Sequence, residues 1–139
     1  MSIAGIRDAL KSTLGNVSAL KHVYDTAPEA VNELPAAIIL PVSGMYDDSR
    51  ANMEHRFQLT VLVTMSPGHA AAQDTLDGMM AESGSGSIKA ALENTTYLTT
   101  GSFYSHADDL RVTGYSRYGG IEYAGAQYIG VIFDITIWT

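Results

Sequence analysis

From Ile129 to Ile137 every odd-numbered position is apolar (Ile129, Val131, Phe133, Ile135, Ile137), while the even positions between them are Gly130, Ile132, Asp134 and Thr136. Successive side chains on a strand point to opposite faces, so this stretch predicts a sheet strand with one core face. Carried backward through Tyr123, Gly125 and Gln127 the strand would exceed the usual limit of about 10 residues, which predicts a bend or bulge near Gly125 or Gly130. The same alternation runs over residues 54–64, where Phe57, Leu59, Val61 and Val63 share a side. Residues 36–42 form a short apolar run bounded by Pro35, Pro41 and Gly44, which suits a strand. Pro41 has no N–H for a ladder and points to an edge or a bulge there. Weaker alternation places a strand over residues 110–117 and a short one around His22, Val23 and Tyr24. Gly119-Gly120, between two tyrosine-rich strands, reads as the tight turn of a hairpin.

Helical spacing appears in three places. Ile3, Ile6, Leu10 and Leu14 recur every three or four residues, with Ser2 to cap the start and Gly15 the end. Ser66-Pro67 opens a second helix that carries Ala70, Ala72, Leu76, Met79 and Met80. Residues 88–94 form a third, with Ile88, Ala91 and Leu92 inward. The run Ser83-Gly84-Ser85-Gly86-Ser87 reads as a flexible connection, and residues 95–107 as a polar loop. Residues 43–53 make an exposed tip between two strands expected to pair as an antiparallel hairpin. The expected architecture is one α+β domain over residues 1–139: a mostly antiparallel β-sheet with helices packed on one face and a long C-terminal strand.

Composition narrows the possible functions. At 139 residues the chain can bury a core without staples, and with no cysteine it has no disulfide, thiolate nucleophile, iron–sulfur cluster or Cys-based zinc site. Eight basic residues against fifteen acidic ones give a formal charge of −7, and the cations stand singly. A surface that grips phosphates needs a stripe of cations, so specific nucleic-acid binding is not expected. The apolar runs are far shorter than the roughly 20 residues of a spanning helix, so no membrane partner is expected. Residues 1–10 lack a charged-then-apolar signal pattern, and the expectation is a soluble chain that keeps its N-terminus.

Candidate chemistry is sparse. His22, His55, His69 and His106 are isolated, without a ligand pair at helical spacing. His106 with Asp108 and Asp109 has the ligand types for a metal, but the set reads more simply as a solvated loop. Ser105, His106 and Asp108 are adjacent in sequence, whereas the members of a hydrolytic triad normally come from separate elements. Asp47 and Asp48, answered by Arg50, read as a solvated tip. The glycines of 119–125 precede a strand and lack the Lys-Ser/Thr of a phosphate loop. Asp134 reads as a surface carboxylate or a subunit-interface group, and Met79 and Met80 as core or contact filler. Tyr46, Tyr97, Tyr104, Tyr115, Tyr118, Tyr123 and Tyr128 either cover the sheet or supply an interface, for which tyrosine is suited. Catalysis, cofactors and bound metals are therefore not expected.

The order of these elements resembles the tail terminator (tail completion) proteins of long-tailed bacteriophages (siphophages) over nearly the whole chain. The resemblance rests on the N-terminal helix ending at Leu14, the strand over 36–42 and the strand His55-Arg56-Phe57-Gln58-Leu59-Thr60-Val61-Leu62-Val63. It continues through Ser87-Ile88-Lys89-Ala90-Ala91-Leu92 and the closing stretch from Arg117-Tyr118-Gly119-Gly120 through Gln127-Tyr128. It implies a structural virion protein that forms a hexameric ring on the finished tail tube, stops its elongation and joins the tail to the head connector. The implied partners are further copies of the chain, the tail tube protein and a head-connector or head-closure protein, with DNA only passing through the lumen. Assembly would take place in the bacterial cytoplasm, and the finished protein would reside in the neck of the virion. Other neck or tail proteins, of head-closure or tail-tube type, look similar, and a small host binding module is a more distant alternative. The contact surfaces expected for such a subunit are the tip (Met45, Tyr46, Asp47, Asp48, Arg50) and the later loop (Tyr97, Phe103, Tyr104, His106).

Overall fold

The computed structural model describes residues 3–17, 19–31, 33–45, 54–65, 70–84, 86–93 and 109–138. In chain order they form α1 (Ile3–Leu14), β1 (His22–Tyr24), β2 (Ala36–Met45), β3 (Glu54–Thr64), α2 (Ala70–Met80), α3 (Ile88–Leu92), β4 (Asp109–Tyr123) and β5 (Ala126–Trp138). The strands make one five-stranded sheet in the order β1-β2-β3-β5-β4. Only β1 and β2 pair in parallel; every other pairing is antiparallel. This is the expected α+β domain with its long last strand.

The odd positions of β3 and β5 build the main core. Phe57, Leu59 and Val61 pair with Ile135, Phe133 and Val131 across the register, and together with Val63 and Ile137 they are all buried. Ile6, Leu10 and Leu14 of α1, Leu76 and Met79 of α2, and Ile88 and Leu92 of α3 close over them from one side. Each fully buried side chain of this size stabilises the fold by about 1.5–3 kcal/mol, so the period-two and helical spacings are also the main energetic signal. Both methionines serve this core: Met79 is fully buried and Met80 packs partly buried against it.

A second, smaller core lies on the opposite face. Ile38, Leu62, Ile121 and Tyr128 are buried there, with Val31 and Leu34 from the connection between β1 and β2 packed onto them. The Tyr123 hydroxyl donates to the Pro28 carbonyl at 2.6 Å and ties the β4–β5 hairpin to that connection. Connection residues thus cover one half of this face; over the half toward Arg56, Gln58 and Asp134 no second layer lies among the described residues.

Three expectations are corrected in detail. The β4–β5 turn is not at Gly119-Gly120 but at Ala124-Gly125, where φ is 51° and 83°. Positive φ at both central residues is the geometry whose twist matches a two-residue hairpin, and glycine is at home in it. Gly119 and Gly120 lie inside β4, paired with Gly130 and Ile129. β5 itself runs unbroken, and the irregularities fall on its neighbours. Val63 is the extra residue of β3 opposite Ile129 and Gly130, while Arg117 and Tyr118 of β4 together oppose Val131. The Ser-Gly run is also not simply loose. Ser87 is buried and caps α3: its hydroxyl accepts from the Ala90 N–H at 3.1 Å and donates to the Ala81 carbonyl. The expectation at Pro41 fits its surroundings, since a bulge places Val42 between the pairs Pro41–Phe57 and Ser43–Arg56.

Candidate functional site

The register brings four strand positions into one row at one end of the sheet: Met45 of β2 pairs with Glu54 of β3, Glu54 with Trp138 of β5, and Trp138 with Asp109 of β4. The chain leaves the sheet at Met45 and returns at Glu54, and it enters β4 at Asp109. The roots of the two segments singled out as contact surfaces therefore lie in one row at the same end of the sheet, with β5 between them. Met45 closes β2; Tyr46, Asp47, Asp48, Arg50, Tyr97, Phe103, Tyr104 and His106 lie outside the described residues. So does Asp108, so the possible metal set of His106, Asp108 and Asp109 is represented only by the backbone of Asp109.

Next to this end, the sheet face away from the helices holds a shallow depression of about 510 Å³ between Val42, Ser43, Arg56, Gln58, Asp134 and Thr136. Strand alternation places these polar residues here, because the even positions of β3 and β5 face away from the helices. Asp134 is half-buried, and its carboxylate accepts from the Gln58 amide at 3.4 Å. Thr113 donates to the Asp134 backbone carbonyl at 3.3 Å. The Arg56 guanidinium stands 3.9 Å from the Glu54 carboxylate and is largely exposed. Such a pair contributes little to stability, so Arg56 is free to change partner when another surface approaches. The depression offers a guanidinium, a carboxylate, an amide and hydroxyls, a set suited to hydrogen bonding against another protein surface. Asp134 thus lies half-buried on the face of the sheet away from the helices, neither a fully buried acid nor a freely solvated one.

His55 sits one row in from the same end, paired with Gly44 on one side and Ile137 on the other. It is buried, and its Nε2 has no hydrogen-bond partner among the described residues. The isolated spacing of the histidines gave no hint of this placement.

The tyrosines divide between their two possible roles. Tyr123 and Tyr128 pack into the second core with Tyr24, whereas Tyr115 and Tyr118 are exposed large side chains on β4. Partial desolvation raises the Tyr118 phenol above its ordinary pKa of 10.0, and the Asp77 carboxylate adds to the effect through its charge and by accepting the phenol's hydrogen bond. Asp74 contributes in the same direction. Burial likewise raises Tyr123, with Tyr128 and Tyr24 as smaller causes.

The residue that sequence reasoning missed is Glu93. Its carboxylate leaves the end of α3 to accept from the Val112 backbone N–H of β4 at 3.0 Å. Only the Lys89–Glu93 spacing, which allows the ion pair seen at 2.6 Å, was legible beforehand. No protein-family model matches the sequence, and no curated protein matches it either.

Proposed function

We propose that the chain is a structural subunit of a phage neck, one of the copies of a ring that caps the tail tube, ends its elongation and meets the head connector. The observation that carries this reading is the single row Met45, Glu54, Trp138 and Asp109, from which both segments expected to touch partners leave or enter the sheet. A subunit working between two stacked partners needs contact segments concentrated at an end of a rigid sheet, and here a five-stranded sheet supplies that base. The polar half-face beside the row extends the available surface. The resemblance in element order supports the same reading.

The net charge of −7 fits a channel that DNA must traverse without sticking, because a negative lumen gives phosphates nothing to hold. The partners in this reading are further copies of the chain, the tail tube protein and the head-connector protein. The chemistry is association alone.

Native mass spectrometry over a concentration series tests it, followed by electron microscopy with purified tail tubes. A closed hexamer, or a ring formed only on tube ends, is the expected result. A monomer that leaves tube ends bare and tube growth unchanged overturns the reading. Replacing Tyr46 and Arg50 together is expected to impair assembly while the circular dichroism of the subunit stays unchanged.

A further inference from the structure

Asp134 is a carboxylate short of partners in a depression of the sheet. It is half-buried, and the Gln58 amide reaches it at 3.4 Å, beyond the roughly 2.7–3.2 Å of an ordinary N–H···O bond. Arg56 is its diagonal neighbour, since Arg56 pairs with Thr136 and Gln58 with Asp134 across the register. Yet the Arg56 guanidinium stands by Glu54 at 3.9 Å and stays largely exposed. The depression thus presents a carboxylate and a loosely held guanidinium close together, with the exposed Val42 at its lining.

Another surface carries the inverse arrangement. Tyr115, Ser116, Arg117 and Tyr118 are successive exposed residues of β4, with Tyr115 exposed by 55% and Tyr118 by 44%. The bulge at Arg117 and Tyr118 holds Arg117 at φ 56°, a left-handed conformation that glycine would take without strain and a larger residue rarely adopts. The Arg117 guanidinium has no ion-pair partner among the described residues. Tyr118, next in the chain, donates to the Asp77 carboxylate with Asp74 close by, and both acids are exposed on α2. Bulges re-aim side chains, and tyrosine and arginine are the residues that most often anchor protein interfaces.

The two surfaces match in shape and in charge. One is a depression with Asp134 and Arg56; the other is an exposed bulge with Arg117 and the carboxylates of Asp74 and Asp77 beside it. Tyr118 meets α2 on the helix side of the sheet and the depression faces away from the helices, so a single copy does not bring them together. We propose that the β4 bulge of one copy seats in the depression of a second copy, with Arg117 paired to Asp134. Arg56 of the receiving copy then exchanges Glu54 for the α2 carboxylates beside the bulge. A contact between two different surfaces repeats from copy to copy and closes into a ring when the rotation allows. The proposal deepens the ring reading and rests on it for the second copy as occupant.

The test compares Asp134→Arg and Arg117→Asp, alone and mixed in equal amounts, with the wild-type chain. Sedimentation velocity over a concentration series reads association, and electron microscopy of purified tail tubes reads rings on tube ends. Aspartate tolerates the left-handed conformation at position 117, and Asp134→Asn, which removes the charge alone, supplies the single-variant reading if Asp134→Arg does not fold. Each variant alone sets like charges against each other, and is expected to need at least about a tenfold higher concentration than wild type to half-associate. In the mixture, alternating the two variants restores opposite charges at every contact, so association near the wild-type concentration is expected, in closed species with an even number of subunits. Folded single variants that associate as wild type does overturn the proposal and leave the ring standing. Weakened single variants whose mixture is no better than either overturn the pairing of Arg117 with Asp134. A mixture restored as open chains keeps the contact and discards the ring. A wild-type chain that stays monomeric and leaves tube ends bare overturns both.

Discussion

Gly130 of β5 lies so close to Val61 of β3 that a Cβ built on it would collide with the Val61 carbonyl oxygen. The approach follows from the bulges on both flanking strands, which draw the backbones together where β5 runs straight between them. Gly130→Ala is expected to cost about 3 kcal/mol or more, or to prevent folding, because the obstacle is backbone in the middle of the sheet. Gly78 is the contrasting site: it is exposed within α2, and a Cβ there meets nothing within 4 Å. Gly78→Ala is expected to stabilise by about 0.5–1 kcal/mol through helix propensity. Urea denaturation of the two variants checks the pair, and equal effects would remove the close approach as an explanation.

Ser87 holds two groups at once, the Ala90 N–H and the Ala81 carbonyl. Ser87→Ala leaves the start of α3 without its cap and the carbonyl without its donor, which is expected to cost about 1–2 kcal/mol. Ser83→Ala, in the same run but exposed, is expected to change stability by less than about 0.5 kcal/mol. Thermal unfolding distinguishes a fixed cap from a passive connection: a similar melting temperature for both variants would make the run a spacer.

Tyr123→Phe removes the donor from the Pro28 carbonyl and keeps the ring in the second core. The expected loss is about 1 kcal/mol, the net value of one such hydrogen bond. Exchange of amides in residues 25–31 should accelerate more than in β3, since the bond joins the hairpin to the covering connection. An unchanged exchange pattern would show that apolar packing alone retains that segment.

Alkaline titration gives a prediction with a definite sign. Tyr118 and Tyr123 both have folded pKa values above the ordinary 10.0. The unfolded chain therefore releases these phenolic protons first, so their contribution to stability is complete below pH 10 and is lost as pH rises from there through the folded values. The Tyr118→Phe, Tyr123→Phe double variant is expected to lose less stability than wild type between neutral pH and pH 11. Chemical denaturation at both pH values checks the slope, and parallel declines would assign the alkaline sensitivity to other groups.

The main core was legible in the sequence because burial on one face writes itself as period two. The odd positions of β3 and β5 and the spacing of Ile6, Leu10 and Leu14 became one packed layer. Strand order was not legible. Nothing in local pattern says that β5 separates β3 from β4, because that choice depends on contacts between residues far apart in the chain. The hairpin turn was misplaced because Gly119-Gly120 and Ala124-Gly125 offer similar local chemistry, and the register decides between them. Glu93 escaped notice for a related reason: a carboxylate near the end of a short helix looks like solvated surface until the fold brings Val112 to it. The row joining Met45, Glu54, Trp138 and Asp109 likewise exists only through the register.

The position of β5 also governs the order in which the protein can be completed during synthesis. It is the last of the five strands to be made, yet it belongs in the interior of the sheet, between β3 and β4. Until it emerges from the ribosome, β3 has no partner on that side, and the apolar face from Phe57 to Val63 lacks the adjoining strand that continues it. A nascent chain in that state exposes a long apolar strand of the kind that invites aggregation. Once β5 arrives, it satisfies both neighbours in one step, so commitment to the native sheet is deferred until the interior strand has been delivered.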